Sequence, residues 1–208
     1  MIIDSISVNA HSSIRAAGEK VCYFDPFHIK DEPHDADVIF ITHDHYDHLS
    51  PEDIAKVRKD DTVFVLPSSC KAAAEKAELT GAVYATPGEA FTVCGIPAEA
   101  VPAHNKLLPF HPKKNGWLGY VVTLNGERVY VAGDTDALSE NEKIKCDVAL
   151  VPVGGKFTMD VKHAAAFVSA MKPCCAVPTH YGDIVGDPGA GEAFASAVDG
   201  VKVVLKIK

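Results

Sequence analysis

Six consecutive residues, His43-Asp44-His45-Tyr46-Asp47-His48, gather three imidazoles and two carboxylates on one short stretch. Neutral imidazole and carboxylate are ligands suited to zinc, and also to iron or manganese. Alternate residues of an extended segment point the same way, so His43 and His45 can grip one ion together. Asp47 and His48 come where the segment turns and can face a second ion nearby. Ligand-type residues rarely collect on one loop for another reason. A site completed from this loop alone would be cramped, so other loops must contribute.

Three further positions share a placement that lets them converge on it. His104 (VPAHN), Asp134 (AGDTD) and His180 (PTHYG) each follow an apolar, strand-like run and precede a small or polar turn. A carboxylate has two oxygens, so Asp134 can bridge two cations. The expected arrangement is one ion held by His43, His45, His104 and Asp134, and another held by Asp47, His48, Asp134 and His180. Two such divalent ions can share a bound hydroxide, because a metal lowers the pKa of its water to about 7. One ion polarises the scissile oxygen and the other stabilises the leaving oxygen. Zinc is the first expectation, with manganese, nickel or iron as alternatives. Asp47 and His180 are the expected catalytic residues, Asp47 by orienting or deprotonating the attacking water.

The elements that must position these groups follow from periodicity and turn chemistry. Alternating or apolar runs predict strands at 2–8, 13–17, 20–24, 37–42, 62–66, 82–85, 90–94, 98–103, 118–124, 127–132, 147–153, 174–178 and 201–207. Ser50, Pro51 and Asp53 form an N-cap, a first-turn proline and a capping-box acid, which predicts a helix from 51 to about 59. Further helices are predicted over 68–77, over 160–171 (stopped by Pro173) and after Gly191. Asn125-Gly126 is the strongest hairpin signal. Strand runs in both halves with interspersed helices predict two sheets packed face to face with helices outside, in one domain spanning 1–208.

Composition narrows the partners. The 208 residues are 47% hydrophobic and 23% charged, the balance of a globular chain. The net charge of −8 and the lack of a basic block disfavour nucleic acid. No apolar run approaches a membrane span, and Asp4 interrupts the first apolar stretch without a preceding basic residue, unlike a signal peptide. The six cysteines show no CxxC spacing and read as reduced residues of a cytoplasmic protein. The partner expected is a small-molecule substrate; a homo-oligomer is compatible with the sequence.

The segment THDHYDHL resembles the HxHxDH signature of the metallo-β-lactamase superfamily. His104, Gly133-Asp134 and His180 fall in the order and approximate spacing of its later motifs. The resemblance covers essentially the whole chain, including the early Asp25-Pro26-Phe27. It implies an α/β fold, a four-layer αβ/βα sandwich with a dinuclear site on one edge. Within the superfamily the chain is similar to the uncharacterised metal-dependent hydrolases that resemble ascorbate-6-phosphate lactonase, through His11 in AHSS, GDTD, the 154–160 stretch and THYG. An aspartate stands at 134 where the best-known zinc β-lactamases place a cysteine, which disfavours penicillin hydrolysis. A histidine stands at 45 where flavodiiron proteins usually carry glutamate, which lowers a redox reading.

The implied activity is hydrolysis of an ester-like bond, a lactone or phosphodiester, of a small metabolite. The competing readings are a di-iron oxidoreductase on the same ligands and a non-catalytic metal-binding homologue. His11, Asp160 and Tyr181 are expected near substrate or in the metals' outer shell. For His163 the expectation is a solvent-exposed side chain. Lys106, His111, Lys113 and Lys114, in the proline- and lysine-rich loop after His104, are either anion receivers or solvated loop residues.

Overall fold

The computed structural model describes residues 1–207. One sheet is built from β1 (Ile6–Ala10), β2 (Ser13–Ala17), β3 (Val21–Phe24), β4 (Ala36–Phe40), β5 (Arg58–Pro67) and β6 (Val83–Ala85), in sequence order. The other contains β7 (Ala90–Val93), β8 (Ile96–Pro102), β9 (Leu118–Leu124), β10 (Glu127–Val131), β11 (Val148–Pro152), β12 (Cys175–Thr179) and β13 (Lys202–Val203), again side by side in chain order. Helices α1 (Pro51–Val57) and α2 (Lys71–Lys76) cover the first sheet, and α3 (Val161–Met171) and α4 (Ala190–Ala197) cover the second.

The burial pattern explains the layering. In β4, Val38 and Phe40 pack into the core between the sheets, while Ile39 and, just past the strand, Ile41 pack on the opposite face with Ile54 and Val57 of α1. A strand apolar on both faces must be covered on both, which is why this segment reads as a continuous run. The second sheet repeats the logic: Val148 and Leu150 face the sheet interface, Ala149 and Val151 face Phe167 and Val168 of α3. The expected αβ/βα four-layer sandwich is the architecture observed.

The parallel stretches carry the loops of interest. β3, β4, β5 and β6 run parallel, as do β10, β11, β12 and β13. The segments after β4, β10 and β12 therefore leave from C-terminal strand ends, where crevices form in such sheets. The hairpin at Asn125-Gly126 closes β9 onto β10 with Leu124 opposite Glu127. Both turn residues have positive φ (51° and 78°), as a two-residue primed turn demands.

Several predicted boundaries shift. Residues 2–5 form a 3-10 turn, not the start of a strand, and the Ile2 amide donates to the Glu127 carboxylate (2.9 Å) instead of to a ladder. The first helix stops at Val57 because Arg58 is already extended and pairs with Ala36. The helix expected over 68–77 divides into a 3-10 turn (Ser68–Cys70) and α2. The closing strand expected over 201–207 pairs only at Lys202 and Val203. Ala176 accepts from the Val204 amide, so residue 178 faces the same edge, and Pro178 has no N–H to continue the ladder.

Candidate metal centre

The loop after β4 begins on a buried brace. Asp25 accepts from the Thr42 amide (2.8 Å) and the Thr42 hydroxyl (2.7 Å), and its Oδ2 lies 2.7 Å from His48 Nδ1. One proton shared between Asp25 and His48 leaves His48 Nε2 directed away from the brace. The loop then turns, with the amides of His48 and Leu49 donating to the His45 carbonyl (3.0 and 2.8 Å). That turn carries Asp47 and His48 to one side while His43 and His45 stay paired, His43 Nε2 lying 3.0 Å from His45 Nδ1. Ser50 then caps α1 by accepting from the Asp53 amide.

Two glycines make room where the second sheet's segments crowd together, and Gly133 also lies against the Thr42 side chain of the first sheet. Gly133 has φ +65°, and a β-carbon there would lie 2.8 Å from the Leu118 carbonyl. Gly154 leaves room for His180: a β-carbon would strike the His180 carbonyl and approach its Nδ1 to 3.0 Å. His180 sits at φ +60° just past β12, and its amide donates to the His11 carbonyl (2.8 Å). His11 occupies the tight turn between β1 and β2 at φ +52°.

The donor atoms converge in three overlapping groups: His43, His45 and His111; His43, His48 and Asp134; His11, Asp47, His48 and His180. Within each group they lie within 4.8 Å of one another. Asp134 sits between the groups. Its Oδ1 is 3.5 Å from His48 Nε2; its Oδ2 is 3.2 Å from His111 Nε2 and 2.9 Å from His180 Nε2. Yet His48 Nε2, His111 Nε2 and Asp134 Oδ1 are buried without a hydrogen-bond partner. Close nitrogens and oxygens that do not align as hydrogen bonds, in a buried setting where orphans are costly, are what a ligand shell for cations looks like. The donor set therefore fits the metal that its residue types imply.

The electrostatics agree for His43, His45 and His11, while His48 is held toward its protonated form, against burial, by the surrounding carboxylates. Burial drives His43 well below the ordinary imidazole range, with His48 adding to it, and burial likewise lowers His45 and His11. Neutral imidazoles are the ligand form. Burial opposes ionisation of Asp134, but His180 and His48 outweigh it and hold the carboxyl well below the usual range. Burial also opposes Asp47, and the hydrogen bond to His11 and the charge of His48 bring it down to about 2. For His48, burial is overcome by Asp134 and Asp25, which raise it well above its usual value.

Comparison with known proteins matches residues 5–181 to a β-lactamase superfamily domain. Two similar curated proteins are UPF0173 metal-dependent hydrolases. One, from Thermoplasma acidophilum, is 30% identical, covering 96% of this chain and 94% of its own. The other, from Pyrococcus abyssi, is 33% identical, covering 94% and 92%. A crystal structure of a protein from Parabacteroides distasonis superposes with a TM-score of 0.82 at 30% identity, covering 98% of this chain and 93% of the other. The chain belongs to the metallo-β-lactamase superfamily, among its metal-dependent hydrolases.

For this hydrolase the structure redistributes the expected site residues. His43, His45, Asp47, His48, Asp134 and His180 come together. His104 does not join them. Its amide donates to the Thr135 hydroxyl (3.2 Å), its carbonyl accepts from Asp136, and its ring Nδ1 lies 3.0 Å from the Asn105 carbonyl. The place assigned to it is taken by His111, seven residues on. Asn105 Oδ1 holds His111 through its amide (3.0 Å) and its Nδ1 (3.1 Å), which aims Nε2 at Asp134. His111 was visible in the sequence only as one of several polar residues in an irregular loop.

His11 is closer in than expected, with its Nε2 3.1 Å from Asp47 Oδ2 inside the ligand group. In the sequence Asp25 stands out only within the Asp25-Pro26-Phe27 of the resemblance; its role against His48 comes from the fold. Tyr181 does not reach the site. Its ring is buried among the α3 and α4 residues, and its hydroxyl lies where a β-carbon on Gly191 would have to go. Asp160 also stays outside, capping α3 by accepting from the His163 amide (2.8 Å), beside an exposed His163. Lys106 lines a neighbouring cavity with Asp160, and Lys113 and Lys114 are exposed. Among the described residues, no helix is long and apolar enough to cross a membrane.

Proposed function

We propose that this protein hydrolyses an ester-like bond, a lactone or a phosphodiester, of a small metabolite, using two divalent cations, with zinc the first expectation. The observation that carries the reading is the geometry of Asp134. Its two oxygens face different imidazoles, His48 on one side and His111 with His180 on the other. A carboxylate so placed is suited to join two cation sites. Cations held there supply a water acidified to a pKa of about 7 and polarisation of the oxygen under attack.

The chain's own groups do the rest. His43, His45 and His111 form one wall of imidazoles, and His11, Asp47, His48 and His180 the other. Asp25 and Thr42 fix His48, and Asn105 fixes His111. Such outer-shell bonds set ring orientation and tautomer. Against burial, Asp47 is held in its ionised form by the hydrogen bond to His11 and the charge of His48. It serves to orient the attacking water, with His11 Nε2 fixing the carboxylate. Tyr46 lines the cavity and brings a hydroxyl donor of the kind that suits a developing oxyanion.

The cavity over these groups has a volume of about 340 Å³, which matches a small metabolite. The test is a panel of lactones, carboxylic esters, thioesters and phosphodiesters given to metal-loaded protein, with Asp134→Ala and His45→Ala beside it. Turnover that both substitutions abolish supports the reading. Turnover that survives both defeats the assignment.

A further inference from the structure

The walls of the same cavity carry information that its floor does not. The floor consists of His45, Asp47, His111, Asp134 and His180, all members of the converging donor set. The remaining lining residues are Tyr46, Phe110, Phe157, Ile184 and Val185. They come from four separate loops, and no lysine or arginine is among the described residues that line the cavity. Phe110 and Phe157 meet edge to face at 4.7 Å and close one side.

These residues are also exposed where apolar groups are normally buried. Tyr46 is 68% exposed, and Phe110 and Ile184 are each 42% exposed, at the mouth of the cavity. Contiguous exposed apolar surface at a pocket marks a ligand surface. Cations on the floor would bind a phosphate as well as a carbonyl; the walls add no arginine or lysine to hold an anion and so favour an uncharged group. Of the nearby lysines, Lys106 lines the adjacent cavity, Lys113 and Lys114 do not line this one, and the Lys156 ammonium lies 5.0 Å over the Phe157 ring without itself lining the cavity.

From this we infer that the substrate is an uncharged carboxylic ester, thioester or lactone bearing an apolar acyl or aryl group, seated against Phe110, Phe157, Ile184 and Val185. The inference rests on the hydrolytic reading above and selects within it, against the phosphodiester. The reaction balances with water alone. The water oxygen bonds to the acyl carbon, the bond from that carbon to the leaving oxygen or sulfur breaks, and a water proton ends on the leaving group. The products are the carboxylate, with its released proton, and an alcohol or thiol; a lactone gives a single hydroxy acid.

The experiment measures kcat/KM of zinc-loaded protein on p-nitrophenyl acetate, butyrate, hexanoate and octanoate, and on bis(p-nitrophenyl) phosphate. The leaving group is constant, so the trend reports the acyl chain. The expected result is a rise of up to about four-fold per buried methylene until the cavity is filled, with the hexanoate preferred to the phosphodiester. Ile184→Lys and Phe110→Ser flatten that slope. A flat or falling trend in the unmodified protein, or preference for the phosphodiester, overturns the inference.

Binding is read separately through Trp117, the one tryptophan in the chain, whose ring lies 4.8 Å from that of His43. Neutral methyl ketones of increasing length are titrated against its fluorescence. Affinity that rises with length while no ester or phosphodiester is turned over supports the apolar pocket and sinks the hydrolytic reading. Affinity independent of length sinks the inference whatever the turnover.

Discussion

Asp25 Oδ2 lies 2.7 Å from His48 Nδ1, and both side chains are fully enclosed between the loop and the sheet. Burial raises the Asp25 carboxyl above the usual carboxylate range, although His48 and the Thr42 donors pull it down. The contact fixes which nitrogen of His48 is free to face Asp47 and Asp134. Asp25→Asn keeps the shape and removes the charge. Zinc affinity, measured by competition with a chromogenic chelator, is expected to fall about 10- to 100-fold, the usual cost of losing an outer-shell partner. Unchanged affinity would show that His48 needs no brace.

His104 and His111 make a paired test. His111→Ala removes a member of the imidazole group with His43 and His45, and bound zinc after dialysis is expected to fall below that of the unmodified protein. His104→Ala removes a ring whose Nδ1 meets its neighbour's carbonyl and which belongs to none of the converging donor groups, and bound zinc is expected to stay the same. Elemental analysis of both variants decides it, and the opposite ranking would restore His104 as the ligand.

Chelation is expected to destabilise the fold. Buried His48 Nε2, His111 Nε2 and Asp134 Oδ1 have no hydrogen-bond partner within the protein. Ligand at a hundred times its Kd stabilises by about 2.7 kcal/mol, which for a chain of this size is a Tm shift of roughly 5–10 °C. Differential scanning fluorimetry with zinc and with EDTA measures it. Equal Tm values would mean the cluster gains nothing from a cation.

Gly154→Ala would drive a β-carbon into the His180 carbonyl. The overpacking is expected to cost about 1–3 kcal/mol, read as a lower urea midpoint. Zinc affinity should fall with it, because the relief available is movement of His180. A midpoint and affinity equal to those of the unmodified protein would show that the two loops are free to separate.

Asp53 predicts an acid limb. Burial raises its pKa, but the Ser50 hydroxyl, Lys56 and the Ile29 amide outweigh burial and hold it below the usual carboxylate value. A carboxyl lowered on folding contributes stability that is present above its unfolded pKa, about 3.9, and lost as pH falls through the folded value. Metal-free protein should therefore lose stability below about pH 4, and Asp53→Asn should be less stable at pH 6 with a shallower decline. Parallel declines in urea midpoint would exclude Asp53 as the origin.

Local physics made part of this molecule readable from its residues. The strand at 37–42 declared itself by an unbroken apolar run, α1 by Ser50-Pro51 with Asp53, and the β9–β10 hairpin by Asn125-Gly126. Each depends on interactions within a few residues. Element ends were less legible wherever a distant partner competed. Ala36 pairs with Arg58 and so ends α1 early, and Glu127 captures the Ile2 amide and so displaces the first strand.

The same division runs through the site. The cluster at 43–48 is a local signal, because its ligand types sit on one turn, and Asp134 and His180 are marked by their place at strand ends. Whether His104 or His111 turns inward depends on Asn105, whose side chain grips the later histidine across a loop that has no periodicity to read. His11, in the β1–β2 turn, reaches Asp47, after β4, because the first sheet brings both segments to one edge, where the His180 amide from the second sheet also donates to the His11 carbonyl. Residue type and spacing determined that metal chemistry belongs to this chain. Which imidazoles face the common centre, and which apolar side chains wall it, was decided by packing between segments far apart in sequence, since direction in space is a property of the assembled layers.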